Sequence, residues 1–165
     1  MAASVSLRRA LGDDDLAFLS ALAQDPAVEP FLAPGRGELE PLRELNAVQA
    51  PYGLYLIESL GQPVGGLALT PTGRSGQVAE ISRVMVSADV RRLGVALEAI
   101  RLACRLMLHE HGRHRIETQV YGDNVAGQRL FERAGFTREG ARRGAYWRRE
   151  RWLDGVYYGL LAEEL

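Results

Sequence analysis

Residues 86–97 read VSADVRRLGVAL, with the apolar run VAEISRVMV (78–86) before them and a long apolar-periodic stretch after. Alternation in the first run predicts a β-strand ending at Val86. Spacing in the second predicts a helix from about Arg92 to His111, closed by Gly112. A strand feeding a helix in this way aims several unbonded backbone N–H groups at one spot, where the helix dipole adds about half a positive charge. Gly94 and Ala96 keep that surface bare, and Arg91 and Arg92 bring full charges suited to phosphate oxygens. Almost nothing in the stretch could act as a catalyst, which suits the task of holding a diphosphate. A plain structural turn is the competing reading, because Arg and Gly are common at helix starts. Neither GxGxxG after a strand nor GxxxxGK[ST] occurs.

Outward from this junction the chain alternates strand and helix signals. VSLRRA (5–10) alternates like a short strand. Asp13, Asp14 and Asp15 offer N-caps to a helix that carries Leu16, Leu19, Leu22 and Ala23 at helical spacing. Prolines 26, 30 and 34 with Gly35 and Gly37 break the chain into a loop. GELEPLRELNAVQA (37–50) predicts a second helix, with Leu39, Leu42, Leu45 and Val48 on one stripe and Pro51 as its stop. GLYLIES (53–59) and PVGGLALTPT (63–72) predict a hairpin around a Gly-Gln-Pro turn. After the central helix come a strand at 115–121, a short helix at 123–135 and strands at about 136–147 and 151–161. The order β-α-α-β-β-β-α-β-α-β-β predicts an α/β (α+β) fold class. It is a single mixed, mostly antiparallel sheet of about seven strands with helices on both faces, in one domain spanning residues 1–165.

Composition narrows the chemistry. All 20 basic residues are arginine, so no P-loop lysine, Schiff-base lysine or PLP attachment is available. Residues 1–60 carry 4 arginines against 9 acids, and residues 61–165 carry 16 against 12, so the second half is the natural host of an anionic ligand. That excess is too small to argue for nucleic acid. The expected setting is cytoplasmic. The sequence shows no signal-peptide pattern and no apolar run long enough for a bilayer, and its one cysteine, Cys104, suits a reducing compartment. His109 and His111 stand about 200° apart around a helix and cannot share a metal ion, so no metal is expected. The arginine-rich segment 138–151, flanked by Trp147 and Trp152, reads as a solvated strand edge, with RNA contact as its rival.

The spacing V-x-x-x-x-R-x-x-G-x-A at Val86, Arg91, Gly94 and Ala96 resembles the acyl-CoA pyrophosphate motif of the GNAT N-acyltransferase superfamily. DNVAGQRLFERAGF (123–136) is similar to a second segment of that superfamily. The ending GARRGAYWRRERWLDGVYYGLLAEEL resembles the branch of the ribosomal-protein N-terminal acetyltransferases. The resemblance implies that the strands at 78–86 and 115–121 splay apart and admit pantetheine. It implies acetyl-CoA as co-substrate, held by backbone groups of Val84 and Val86 and by the pyrophosphate amides of Arg92, Leu93, Gly94, Val95 and Ala96. Asn124 would meet the pantetheine or phosphoadenosine arm, and an oxyanion donor would lie near Met85 or Val86.

The resemblance also implies an amine acceptor, a protein N-terminus being favoured over a small amine. A protein α-amine titrates near ~8, so deprotonating it at pH 7 costs only about 1.4 kcal/mol. Glu80 is the expected base. It lies on the strand leading into the coenzyme loop, where alternation groups it with Ser82 and Val84, and the alternative base position on the next strand is Gln119, which takes no proton. Phe131, expected among the coenzyme-binding residues, stands where the family often has a tyrosine that could serve as general acid, which leaves Tyr121 and Tyr146 as substitutes for that role. Gly127 replaces the family's small hydroxyl residue. A catalytically silent acyl-CoA-binding module is the alternative, and the terminal strands offer an edge for a homodimer.

Overall fold

The strands are β1 (Val5–Arg9), β2 (Gly53–Ser59), β3 (Gln62–Thr72), β4 (Val78–Val86), β5 (Arg115–Tyr121), β6 (Thr137–Arg148) and β7 (Arg151–Leu161). In the computed structural model, which describes residues 4–165, they form one sheet in the order β1-β2-β3-β4-β5-β7-β6. Every neighbouring pair is antiparallel except β4 with β5. The helices are α1 (Gly12–Ala23), α2 (Leu39–Asn46), α3 (Val95–Cys104) and α4 (Val125–Arg133). The predicted order and mixed sheet are the observed ones.

Period-two alternation divides the apolar residues between two cores. Tyr55, Ile57, Leu67, Leu69, Ala79 and Ile81 pack on one face with Val95, Ala99, Ile100 and Ala103 of α3 and Phe131 of α4. Leu54, Leu56, Ala68 and Met85 turn to the other face, against Leu16 and Leu19 of α1 and Leu42 of α2. Each fully buried aliphatic side chain contributes about 1.5–3 kcal/mol relative to exposure, so both faces are pinned and the register cannot slip by one.

Local departures from the expected boundaries each have a cause. Helix α3 begins at Val95 rather than Arg92, because Arg92 (φ 64°) and Gly94 (φ 81°) are left-handed and cannot lie in an α-helix. The chain continues from Cys104 as a wider π-type turn over residues 105–110, which His111 closes with an N–H bond to the Leu106 carbonyl at 3.0 Å. Helix α2 is shorter than expected. Asn46 ends it by donating to the Ala10 carbonyl at 3.1 Å and accepting from the Leu54 amide at 3.0 Å. Of the expected stripe, Leu42 is buried and Leu45 packs beside it, while Leu39 and Val48 are exposed. None of the three aspartates is the N-cap of α1. Leu11 is, and Asp15 reaches back to accept from its amide at 2.7 Å. The β2–β3 turn is Leu60–Gly61, both at positive φ, which leaves Gln62 and Pro63 in the strand.

The departure with the largest effect on the site lies in β4. Gly66 pairs with Met85 and Ala68 with Ser82, so Arg83 and Val84 together oppose Leu67 alone, a bulge with Arg83 at φ 51°. The extra residue inverts the alternation. Ile81 packs under α3, Met85 under α1 and α2, and Val84 and Val86 against the α3 side. Val84 therefore does not share a face with Glu80 and Ser82 as simple alternation implied.

Candidate active site

Strands β4 and β5 pair in parallel only at 78 with 115, 79 with 116 and 80 with 117. Beyond Glu80 and Glu117 they separate, although β4 runs on to Val86 and β5 to Tyr121. The gap continues into a cavity of about 830 Å³ bounded by the starts of α3 and α4, the loop before α2 and Tyr146 of β6. Glu80, Val84, Met85, Val86, Arg91, Arg92, Gly94, Val95, Ala96, Asn124 and Phe131 all line it. Leu93 does not; the residue is 66% exposed.

At the α3 end of the cavity the chain turns through Arg92 and Gly94, both left-handed, with Leu93 between them outside that region. Alternating handedness of this kind points successive amides into one concavity suited to anions. Among the described residues, the amides of Arg92 to Leu97 find no hydrogen-bond acceptor, and the first bond of this stretch is Glu98 N–H to the Gly94 carbonyl at 3.0 Å. A Cβ added at Gly94 would meet no heavy atom within 4 Å, so the glycine answers its backbone angle and leaves open space before it. Arg91 has partners within the chain. Its Nε donates to the Val86 carbonyl at 3.1 Å and its guanidinium lies 3.7 Å from Asp25, so it braces the loop, while Arg92 stays exposed. Asn124 caps α4 by accepting from the Gly127 amide at 2.9 Å. A Cβ at residue 127 would sit 2.6 Å from Asn124 Nδ2, which explains the glycine there.

The ladder settles which way the backbone of β4 faces. Ser87 N–H donates to Val64 at 2.8 Å, so alternation turns Met85 toward β3 and Val86 into the gap. Arg91 already occupies the Val86 carbonyl, which leaves the Val86 amide as the donor facing the gap. Of the two amides named from sequence, that of Val86 faces the gap and that of Met85 faces β3.

At the other end stands Glu80, half-buried on the cavity wall. Burial raises its pKa, opposed by the Arg36 charge, reinforced by Glu117 and opposed again by Arg83. Glu117 is itself held by Arg115 and Thr72, each at 3.0 Å. Tyr146 donates its hydroxyl proton to Gln119 Oε1 at 2.9 Å. Tyr121 also lines the cavity, its ring 5.4 Å from that of Tyr146. Burial raises its pKa, and its hydroxyl has no partner among the described residues. Phe131 is buried edge-on against Phe136, with ring centres 5.1 Å apart.

Several wall residues carried no signal in the sequence. Arg36 and Phe31 come from the proline-rich loop, Arg83 from the bulge and Arg129 from α4; only the tertiary fold brings them together. Three arginines of the terminal hairpin make ion pairs within the chain. Arg148 and Arg149 hold Glu29 at 3.1 and 2.8 Å, and Arg151 holds Asp123 at 2.6 Å. The first two tie the hairpin to the loop that roofs the cavity.

Comparison with known proteins agrees with this geometry. Residues 16–136 match the acetyltransferase (GNAT) family, and the chain belongs to it. Over 74 residues it is 32% identical to the SPbeta prophage-derived uncharacterized N-acetyltransferase YokL of Bacillus subtilis (strain 168). That match covers 45% of this chain and 42% of the relative, so it spans less than half of either. The fold superposes on spermidine N-acetyltransferase from Vibrio cholerae in complex with CoA and spermine, with a TM-score of 0.83, 21% identity and coverage of 97% and 96% of the two chains. Mycobacterium smegmatis RimJ in complex with CoA-disulfide gives a TM-score of 0.82 at 24% identity, covering 99% of this chain and 85% of that one. Among the described residues, no helix is long and apolar enough to cross a membrane.

Proposed function

We propose that the protein transfers an acetyl group from acetyl-CoA to a primary amine, a protein N-terminus being the favoured acceptor. The observation that carries this reading is the row of unbonded amides at the start of α3, set at the mouth of the β4–β5 gap. The residues present fit the coenzyme. The amides of Arg92 to Leu97 and the Arg92 guanidinium would hold its diphosphate, and the freed backbone edge of β4 would receive pantetheine as an added strand. When bound, acetyl-CoA supplies an activated thioester carbonyl.

The chain's own groups then have separable tasks. Glu80 takes a proton from the acceptor's ammonium, its raised pKa lying nearer the working pH than that of an exposed carboxylate. The Val86 amide faces the gap, where it can donate to a developing oxyanion. Tyr121 gives a proton to the leaving thiolate. Tyr146 is less suited to that task, because its own proton is engaged by Gln119. Transfer is direct. Cys104 is fully buried away from the cavity, its thiol pushed up to about 12 by burial, so no thiolate is placed to carry an acyl group.

Release of CoA thiol in the presence of a panel of amines tests the proposal. Turnover on at least one amine is expected. Tight acetyl-CoA binding with no release on any amine would instead establish the silent-module reading, which Phe131 and Gln119 keep in view.

A further inference from the structure

The cavity has a charge pattern that the transfer chemistry does not use. Glu80 is the one acid among its lining residues, and the arginines fall into two groups. Arg91 and Arg92 stand at the coenzyme loop and Arg129 and Arg133 on α4, whereas Arg36 and Arg83 stand at the Glu80 end. Arg36 is close enough for its charge to act on Glu80, Arg83 and Tyr121 together. Neither Arg36 nor Arg83 has a carboxylate within ion-pair distance among the described residues. Among the described residues, the one hydrogen bond made by either side chain joins them, Arg83 Nε donating to the Arg36 carbonyl at 3.4 Å.

Two arginines and one half-buried carboxylate share this end of the cavity wall, which leaves an uncompensated positive charge near the proposed base. Arg83 is held there by the bulge, in a left-handed backbone that favours glycine. Its guanidinium binds its proton less tightly than usual, pulled down to about 10 by burial and by Arg36, as expected of a cation short of a counter-ion. Arg36 comes from the loop before α2, the loop that the Glu29–Arg148 contact ties down.

We infer that Arg36 and Arg83 form an anion subsite for the acceptor, so that the preferred amine carries a carboxylate a few bonds from its nitrogen. A guanidinium pair presents planar, forked donors that match a carboxylate. Glu80 lies beside the pair, where it faces the ammonium of the same molecule, so the two charges of an amino-carboxylate meet opposite charges in order. A polyamine meets the reverse arrangement, because its second ammonium would be driven against Arg36 and Arg83. The carboxylate has two sources, the α-carboxylate of a free amino acid or an acidic side chain at the start of a peptide.

The inference rests on the acetyltransferase reading for the identity of the cavity, and its test is arranged to fail separately. The CoA-saturated protein is titrated calorimetrically with alanine against alaninamide, with Asp-Ala-Ala-amide against Asn-Ala-Ala-amide, and with spermidine. At least one acid is expected to bind about tenfold or more tightly than its neutral match. That preference should shrink to within about twofold in Arg36→Gln and in Arg83→Gln. The first variant alters an exposed loop residue, so it does not depend on the bulge folding. The winning pair names the source of the carboxylate. Equal binding of acids and neutral matches, tighter binding of spermidine, or no binding of any probe would overturn the inference. Thiol release on the same panel judges the transferase reading independently: acetyl-CoA binding without release would sink that reading and leave the titration standing.

Discussion

Glu80 occupies the last rung of the β4–β5 ladder, where pairing gives way to the gap, and this position gives it two measurable properties. In its proposed role as base it must be ionised, so the rate should rise with pH through its raised pKa. Glu80→Gln should remove that limb and lower the rate by roughly 10²-fold at pH 7. The loss should narrow as pH rises toward the amine's own pKa, and a full pH–rate profile of both proteins checks this. Its effect on stability has the opposite sense. A carboxylate whose folded pKa is raised binds its proton more tightly when folded, so its contribution is present below the ordinary carboxylate range and lost as pH rises through the folded value. Glu80→Gln should therefore melt at a higher temperature than the parent at pH 7, with the gain shrinking toward pH 4. Glu80 was legible in the sequence as an acid on an apolar strand. Its neighbours Arg36 and Arg83 were not, because an exposed loop arginine and a strand arginine reach one spot only after a bulge and a chain reversal.

At the scale of elements, the junction between β4 and α3 ties backbone shape to binding. The motif was readable from the spacing of Arg91, Gly94 and Ala96, but its mechanics were not. Periodicity extended the helix back to Arg92, where two left-handed residues in fact hold it off, and it gave no sign that Arg91 also contacts the Val86 carbonyl and Asp25. Gly94→Glu puts a carboxylate into open space that the protein leaves empty. The left-handed backbone makes any side chain there cost about 1–2 kcal/mol. Melting should shift modestly while acetyl-CoA affinity falls by about 100-fold or more; calorimetry and thermal denaturation on one sample separate the two. In the helix itself, Ile100→Ala should cost about 2–5 kcal/mol of unfolding free energy in urea, since Ile100 is fully buried between α3 and the sheet. The β4 bulge was not legible in the sequence. A register shift is a property of two strands, and the irregularities in each alone, Arg83 among apolar alternates and Gly65–Gly66 in the partner, do not locate it.

For the whole molecule, the two cores on opposite faces of one sheet were legible from alternation, since each strand had to serve both. The closure of the cavity was not, because it depends on contacts that span 119 and 120 residues from Glu29 to Arg148 and Arg149. Those arginines hold the Glu29 carboxyl below its usual range, so the contribution of the contact is present above that range and lost as pH falls through the folded value. Glu29→Gln leaves Arg148, only 11% exposed, without its charged partner. Its predicted signature is a raised KM for the acceptor with acetyl-CoA affinity unchanged. The central claim is that bare amides at the start of α3 grip the coenzyme's diphosphate, and backbone amide resonances followed by NMR during a CoA titration test it most directly. The amides of Arg92 to Leu97 should show the largest shifts and gain protection from hydrogen exchange. Saturable CoA binding that leaves those amides unmoved would contradict the account.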